Sequence, residues 1–385
     1  MTNALIYLDN AATSHPKPDT VHQAVQEALL AGGSPGRGGH RLALAAGRRV
    51  LHARETLAAL LGAPDASRVL FTSSCTDSIN LGLKGLLRPG DHVVTTALEH
   101  NALRRPLGAL EAQGVKVTRV PTGPDGQVDP ADIRALLRHE TRLIALAHAS
   151  NVSGALQPLA DIGEIARQAG LYFLVDAAQT AGAHPLHMEQ LGIHLLAAPG
   201  HKGLLGPQGT GILCVDPAVP LRPIREGGTG SFSSDLAQPD HFPEGFESGT
   251  LNLPGIAGLA AGAAWLLHVG VAEVHRREMA LTALLIEGLR RIPGVVVHGP
   301  AERAALVSFS VAGIDPGEVE ELLDEHYGVV GRSGLHCNPG CHEHLDTLAR
   351  GGAMRLSPGP FTTASEIEEA IRAVAALAAL RRNEL

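Results

Sequence analysis

The chain is sparing with cysteine: its 385 residues hold four, Cys75, Cys214, Cys337 and Cys341. So few in so long a chain cannot be the framework of a disulfide-stapled fold, and a reducing, cytoplasmic setting is expected. Charged residues are also scarce, 18% against 44% hydrophobic, with a net charge of -8 and a pI near 6.2. That balance allows a large buried core and excludes a broad basic surface for nucleic acid, while a small anion could still be held locally. No apolar run reaches the roughly 18 residues of a membrane span. The longest candidate, IAGLAAGAAWLLHVGVA, is rich in Gly and Ala and broken by His268. The N-terminal MTNALIYLDNAATS has no basic segment leading into an apolar one, so no targeting peptide is expected. Internal repeats and low-complexity tracts are absent.

What is present is a rhythm. Short apolar or β-branched runs at 69–72, 92–96, 115–120, 143–148, 172–178 and 211–216 alternate with amphipathic stretches such as PADIRALLRH and LADIGEIARQAG. Strands alternating with helical segments specify a doubly wound α/β sheet, and the length leaves room for a second, smaller domain. Beyond about residue 270 the order changes to a long helix, the strands VVVHG and ALVSFSV, a helix near PGEVEELLDEHY and a last helix, which reads as an α+β unit. The last helix opens on Thr363 with Glu366 three residues on, a capping box, and sets Ile367, Ile371, Val374 and Leu377 on one face.

In such sheets ligands bind beyond the carboxyl ends of the strands, so the polar residues that follow each run are the candidates. Ser73, Ser74, Cys75 and Thr76 fall where a loop becomes a helix; free N–H groups and hydroxyls there suit a phosphate, and equally a plain helix cap. His100 follows the second run, and a lone histidine there is more often a surface or cap residue than a catalyst. Asn151, after the LIALAH run, could fix a turn or a ligand oxygen. Asp176 closes the run YFLVD, with Gln179 just beyond, and Lys202 lies in APGHKGLLGPQGTG, whose glycines let the backbone come close to a bound group. Together a lysine, a carboxylate, a phosphate cradle and a stacking ring meet the needs of pyridoxal 5'-phosphate. The lysine takes its aldehyde, and the carboxylate keeps its pyridine nitrogen protonated so that the ring draws electrons from the substrate's α-carbon.

A separate cluster, GRSGLHCNPGCHEHLD at 331–346, crowds two cysteines and three histidines into a Gly- and Pro-rich loop. Metal binding, a buried structural role and sulfur chemistry are all open to it. His336, Cys337, Cys341, His342 and His344 are zinc-type ligands, but structural zinc sites usually combine two separated ligand pairs, and no second cysteine pair exists, so no metal site is assigned. Burial suits Cys214, inside an apolar strand, better than Cys337 among glycines and a proline.

With YLDNAAT, LEHNA, SNVSG, VDAAQTAG, GHKGLLGPQGTG, FESGTLN and RSGLHC in that order, nearly the whole chain resembles the class V, fold-type I pyridoxal-phosphate enzymes. Within them it resembles the second group of cysteine desulfurases, which includes selenocysteine lyases. The resemblance implies a large cofactor-binding domain at 21–265, built on a mostly parallel, seven-stranded doubly wound sheet, and a smaller α+β domain at 266–385 carrying the nucleophile loop. An N-terminal segment, 1–20, would associate with the smaller domain. It implies Lys202 as the catalytic, cofactor-binding lysine, Asp176 as partner of the pyridine nitrogen, Gln179 as donor to the phenolic oxygen and His100 as the stacking catalytic residue. Thr76 and His201 would meet the phosphate beside Cys75, and Asn151, at the cofactor, would grip the substrate carboxylate with Arg355. Thr250 would reach the phosphate of a neighbouring subunit, making a homodimer with shared active sites.

The same resemblance makes Cys337 the nucleophile that takes sulfur from L-cysteine as a persulfide, helped by a base or cation such as His336 or Arg332. The expected activity is a cysteine desulfurase that makes L-alanine and passes sulfur to an acceptor protein. A selenocysteine lyase would use the same residues on selenocysteine, and an aminotransferase or β-lyase would leave Cys337 idle. A sulfur-carrier or metal-buffering protein on a retired scaffold stands further off. The chain departs from the pattern at Pro199, where a hydroxyl residue would bond the phosphate, at Leu335, and in the second thiol Cys341, which could resolve the persulfide or do nothing.

Overall fold

The computed structural model describes residues 5–36, 38–231 and 233–382; residues 1–4 of the expected N-terminal segment lie outside them. The first half of the chain runs β1 (Ile6–Tyr7), α1 (Asp19–Ala31), α2 (Arg41–Leu61), β2 (Val69–Thr72), α3 (Cys75–Leu86), β3 (His92–Thr96), α4 (Asn101–Glu111), β4 (Lys116–Val120), α5 (Pro130–Ala135), β5 (Thr141–Ala147), α6 (Leu159–Ala169) and β6 (Tyr172–Asp176). Then follow β7 (Leu195–Pro199), β8 (Gly211–Val215), α7 (Leu253–Val269), α8 (Val271–Arg290), β9 (Val295–His298), β10 (Val307–Val311), α9 (Pro316–Tyr327), β11 (Val329–Val330), α10 (Pro339–His344), β12 (Met354–Leu356) and α11 (Ala364–Arg382).

Seven strands form one sheet in the order β2-β8-β7-β6-β5-β3-β4, in which only β8 runs against its neighbours. Every residue of β3, β7 and β8 is buried, as expected of strands covered on both faces. Leu57 of α2, Ile162 of α6 and Leu259 of α7 lie in the core cluster on one face, and Ile79 of α3 and Leu103 of α4 in that on the other. The strand β7 is not announced by the sequence pattern: LLAAP has no β-branched residue and ends in proline, yet it pairs with both β6 and β8.

The remaining strands make an antiparallel sheet, β12-β10-β9, and a parallel pair, β1-β11. Ile6 and Leu8 share a core cluster with Leu285, Phe309, Leu323 and Ile367, so the start of the chain packs against its last third. The capping box forms: Thr363 N donates to Glu366 Oε2 at 2.7 Å and Glu366 N to Thr363 Oγ1 at 3.3 Å. Among the described residues no single helix is long and apolar enough to cross a membrane; α7 and α8 meet that measure only as a pair, bent by 84°.

Two features of the sheet place the site. β4 lies outward of β3 while β5, β6 and β7 follow one another on its other side, so chain direction across the sheet reverses between β3 and β5, where open α/β sheets bind ligands. β3 and β5 pair only as far as Val94 and Ile144, while β5 stays paired with β6 to Ala147 and Asp176. At the edge, β2 is finished by a buried ion pair in place of a strand: Glu247 Oε1 accepts from Phe71 N at 2.6 Å, and Arg54 donates to Val69 O and to Glu247.

Candidate active site

Beyond the carboxyl ends of these strands lies a cavity of about 640 Å3, counting its open mouth. Its walls include Cys75, Thr76, His100, Asn151, Asp176, Gln179, His201 and Lys202, so eight of the residues singled out from the sequence come together. Pro199 and Asn338 also line it. Four of them arrive at strand ends. Asp176 ends β6, Thr76 opens α3 after β2, His100 opens α4 after β3, and Lys202 follows β7.

The turn from β2 into α3 is a helix N-terminus aimed at the cavity. Ser74 caps it by accepting from Asp77 N at 3.2 Å, so the plain cap expected of this stretch is real, and it leaves the N–H groups of Cys75 and Thr76 at the open end. Gly211 of β8 permits this: a Cβ there would stand 2.4 Å from the backbone of Ser74. His100 is likewise both cap and wall. Its Nδ1 accepts from Ala102 N at 3.0 Å, which puts the proton on Nε2, and burial lowers its pKa, so the ring is neutral.

Asp176 is 4% exposed; its Oδ1 accepts from Ala178 N at 2.9 Å and from the Cys75 thiol at 3.4 Å. Among the described residues nothing bonds its other oxygen. Burial holds the Lys202 ammonium below its ordinary pKa, the charge of Arg355 lowers it further, and Asp176 pulls the other way. His201 is pushed down to about 4 by burial, with Lys202 and Lys17 adding to the shift, and its Nδ1 is buried without a partner. An open carboxylate oxygen, an orphaned imidazole nitrogen, free helix N–H groups and a lysine around one cavity fit pyridoxal phosphate, the group the resemblance implies. Pro199 supplies no donor to such a phosphate, and the hydroxyl of nearby Thr210 is spent on Pro207 O at 2.6 Å.

Three expectations need correction or restriction, and a fourth, Thr250, concerns a second copy and is left as it stood. Asn151 lines the cavity, but its Nδ2 donates to His336 O at 2.6 Å and its Oδ1 accepts from Asn338 Nδ2 at 3.2 Å, so most of its amide holds the loop carrying Cys337. Arg355 stands behind Asn151, outside the cavity lining, with Nη1 on Asn151 O at 2.9 Å and Nη2 on Asp9 Oδ1 at 2.9 Å. Its fork is not preformed for a substrate carboxylate, because the bridge between Asp9 and Ser357 brings a competing carboxylate beside it. Thr250 is exposed and lines a different hollow, with Arg54 and Glu247. His336 is neither base nor cation for Cys337. Its Nε2 donates to Arg332 O at 3.2 Å, its Nδ1 accepts from His342 Nε2 at 3.3 Å, and burial pushes it down to about 3.

The loop carrying Cys337 is held against the cavity by hydrogen bonds between residues far apart in the chain. Cys337 O accepts from Asn101 N at 2.9 Å, one residue from His100, and Asn338 Nδ2 donates to Leu98 O at 2.9 Å. His336 and Cys337 both take positive φ, 50° and 58°, a conformation that non-glycine residues hold only under constraint. Cys337 is the exposed cysteine; Cys341 is buried, its sulfur 3.4 Å from Ser150 Oγ, and burial raises its pKa, so it is poorly placed to resolve a persulfide. Among the described residues no group of three or more His, Cys, Asp or Glu is arranged to hold a metal ion.

Two residues that sequence reasoning missed shape the site. Asn338 is one; its only local signal is its place beside Cys337. Glu99 is the other. Its carboxyl fills the gap between β3 and β5, accepting from Thr96 Oγ1 at 2.7 Å and Ala147 N at 2.9 Å, and burial pushes it up to about 8.

The family model for aminotransferase class V matches residues 6–370. A protein from Methanothermobacter thermautotrophicus named "Probable cysteine desulfurase" is 35% identical over 370 residues, 94% of this chain and 92% of its own. Among solved structures, an apo cysteine desulfurase from Thermococcus onnurineus has the same fold with a TM-score of 0.90 at 32% identity, covering 97% of this chain and 94% of that one. The cysteine desulfurase CsdA from Escherichia coli, in its S-sulfonic acid form, follows at a TM-score of 0.86 and 30% identity, with coverage of 98% and 95%.

Proposed function

The chain belongs to the aminotransferase class-V family, and on that premise we propose that it is a cysteine desulfurase dependent on pyridoxal 5'-phosphate. The cofactor would be held by Lys202 at its aldehyde, Asp176 at its ring nitrogen, the His100 ring at its face and Gln179 at its phenolic oxygen. Its phosphate would take Thr76, His201 and the α3 N-terminus beside Cys75. When bound, it supplies an electron sink for charge that develops at the substrate's Cα.

The chain's own residues carry the rest. Lys202, its pKa lowered by burial, takes the proton from Cα, delivers one at Cβ as sulfur departs and returns one to Cα. The Cys337 thiolate attacks the substrate sulfur: the S–S bond forms, the Cβ–S bond breaks, and its electron pair stays with Cβ until the proton arrives. L-cysteine and the Cys337 thiol thus become L-alanine and a Cys337 persulfide, with all atoms accounted for. Arg332 is exposed on the same loop, five residues before Cys337. Arg355 can take the substrate carboxylate only by turning part of its fork from Asp9.

The observation that carries this reading is the exposed Cys337, pinned through its carbonyl to Asn101 beside the wall of the lysine cavity. Replacing it decides the matter. Cys337→Ala is expected to lose alanine formation from cysteine, and Cys341→Ser to keep most of it. Full turnover in Cys337→Ala would overturn the persulfide route and favour an aminotransferase or β-lyase. We further propose that Thr250 serves the cavity of a second copy in a two-fold dimer, that the persulfide passes to an acceptor protein, and that the setting is a reducing cytoplasm. Comparing alanine release from cysteine and selenocysteine sets the substrate.

A further inference from the structure

On the far side of Lys202 and Gln179 lies a second, smaller cavity, lined by Asn10, Ser14, Glu278 and Pro358 and sharing Ala178, Gln179 and Lys202 with the first. Counting its open mouth it measures about 440 Å3, of which about 40 Å3 can hold the centres of waters. At roughly 10–15 Å3 of water-accessible space apiece, that is room for about three waters, provided each finds two or more polar partners. Of its polar lining, Asn10, Ser14 and the Gln179 amide nitrogen already bond to Ser357, His15, His201, Lys17 and Ala11, which leaves Lys202, Glu278 and the Gln179 oxygen to meet water.

Glu278 is the unexplained member of this wall. It is 5% exposed, in the middle of α8, and among the described residues nothing hydrogen-bonds or ion-pairs its carboxyl. Burial alone pushes it up to about 8, so it stays a neutral acid near neutral pH, able both to donate and to accept. A buried acid without a partner costs stability that Met or Leu would spare. Such a group, on the wall of a hollow that also reaches the lysine of a candidate site, calls for a functional reason.

We propose that this cavity is a water-filled proton relay through which the Glu278 carboxyl exchanges protons with Lys202 Nζ while substrate fills the front cavity. Glu278 is then a positioning residue, acting through Lys202. The inference rests on the desulfurase reading only in giving Lys202 its proton transfers. That reaction leaves one more hydrogen on carbon than it removes, because Cβ gains one as sulfur departs, and with the front cavity occupied the rear one is the wet side of Lys202. In the relay step the carboxylic acid and the free amine become carboxylate and ammonium, one proton moving along the waters. The reverse step restores both.

The test follows a label. L-cysteine deuterated at Cα is turned over in ordinary water, and the deuterium left in alanine is measured by mass spectrometry. The wild-type protein should lose most of the label to water, because Lys202 exchanges with the relay. Glu278→Gln, of the same shape, should return several-fold more label to alanine, with KM unchanged and kcat lowered by less than the ~100-fold typical of a direct acid–base group. Glu278→Asp, which keeps the acid one methylene shorter, should restore part of the washout. Equal label retention in the wild type and both variants, whatever happens to the rate, overturns the relay. A second arm needs no turnover: the infrared difference between wild type and Glu278→Gln should contain a protonated-carboxyl band near neutral pH that shifts in heavy water, and its absence also overturns the proposal. If the wild type makes no alanine, the desulfurase reading has failed, and the infrared arm still judges the buried acid.

Discussion

Cys337 and Cys341 lie four residues apart, one exposed and the other buried. What separates their chemistry is the backbone between them, where Asn338 does three things: it lines the cavity, anchors the loop to Leu98 O and Asn151, and caps α10 by accepting from Cys341 N at 3.2 Å. Asn338→Ala should therefore cost about 1 kcal/mol for the lost cap. It should also slow sulfur transfer more than it weakens cysteine binding, read as a fall in kcat larger than any rise in KM; a variant with wild-type kcat would show that the clamp is idle. The strand-end residues Asp176 and Lys202 were legible in the sequence because each follows a run that announces its strand or sits among telling glycines. Asn338, Glu99 and Asp9 were not. Their partners stand far off in the chain, Asn338 with Leu98, Glu99 with Ala147 and Asp9 with Arg355, and no local pattern carries such a pairing.

At the level of elements, alternating runs predicted six of the seven strands of the large sheet. The seventh, β7, escaped because burial between β6 and β8 overrides the weak strand preference of Leu and Ala. The Arg54–Glu247 pair, which joins α2 to a segment before α7, was equally silent, although it closes the free edge of β2 and so steadies the turn carrying Cys75 and Thr76. Glu247→Ala would strand the Arg54 charge in the interior, and a loss of about 3–5 kcal/mol is expected. A thermal melt measures it, and replacing both residues by Met should recover most of the loss. A single variant as stable as the wild type would mean that the pair is not what holds this edge.

For the whole molecule the buried ionisable groups set the response to pH. Glu99 and Glu278, both raised from 4.5 to about 8, keep protons in the folded state that the unfolded chain gives up, so their stability contribution is complete below 4.5 and is lost as pH rises toward 8. His148 and His336, both lowered from 6.5 to about 3, act in the other direction and cost stability as pH falls below 6.5. Between pH 6.5 and 8 only the carboxyl slope remains of these four, so the Tm advantage of Glu278→Gln over the wild type should widen across that interval; a constant difference would contradict the buried neutral acid. The assembly of the site from both ends of the chain, with Asp9 and Ala11 meeting Arg355 and Gln179, depends on packing that composition and periodicity do not encode. The shared site expected at Thr250 would need a second copy and is tested only in solution. The central claim, that this molecule moves sulfur from cysteine onto its own loop, is tested most directly by mass spectrometry of the cofactor-loaded protein after brief exposure to L-cysteine. The account predicts one added sulfur on the peptide holding Cys337, removed by a thiol reductant; an unmodified Cys337 while alanine accumulates would contradict it.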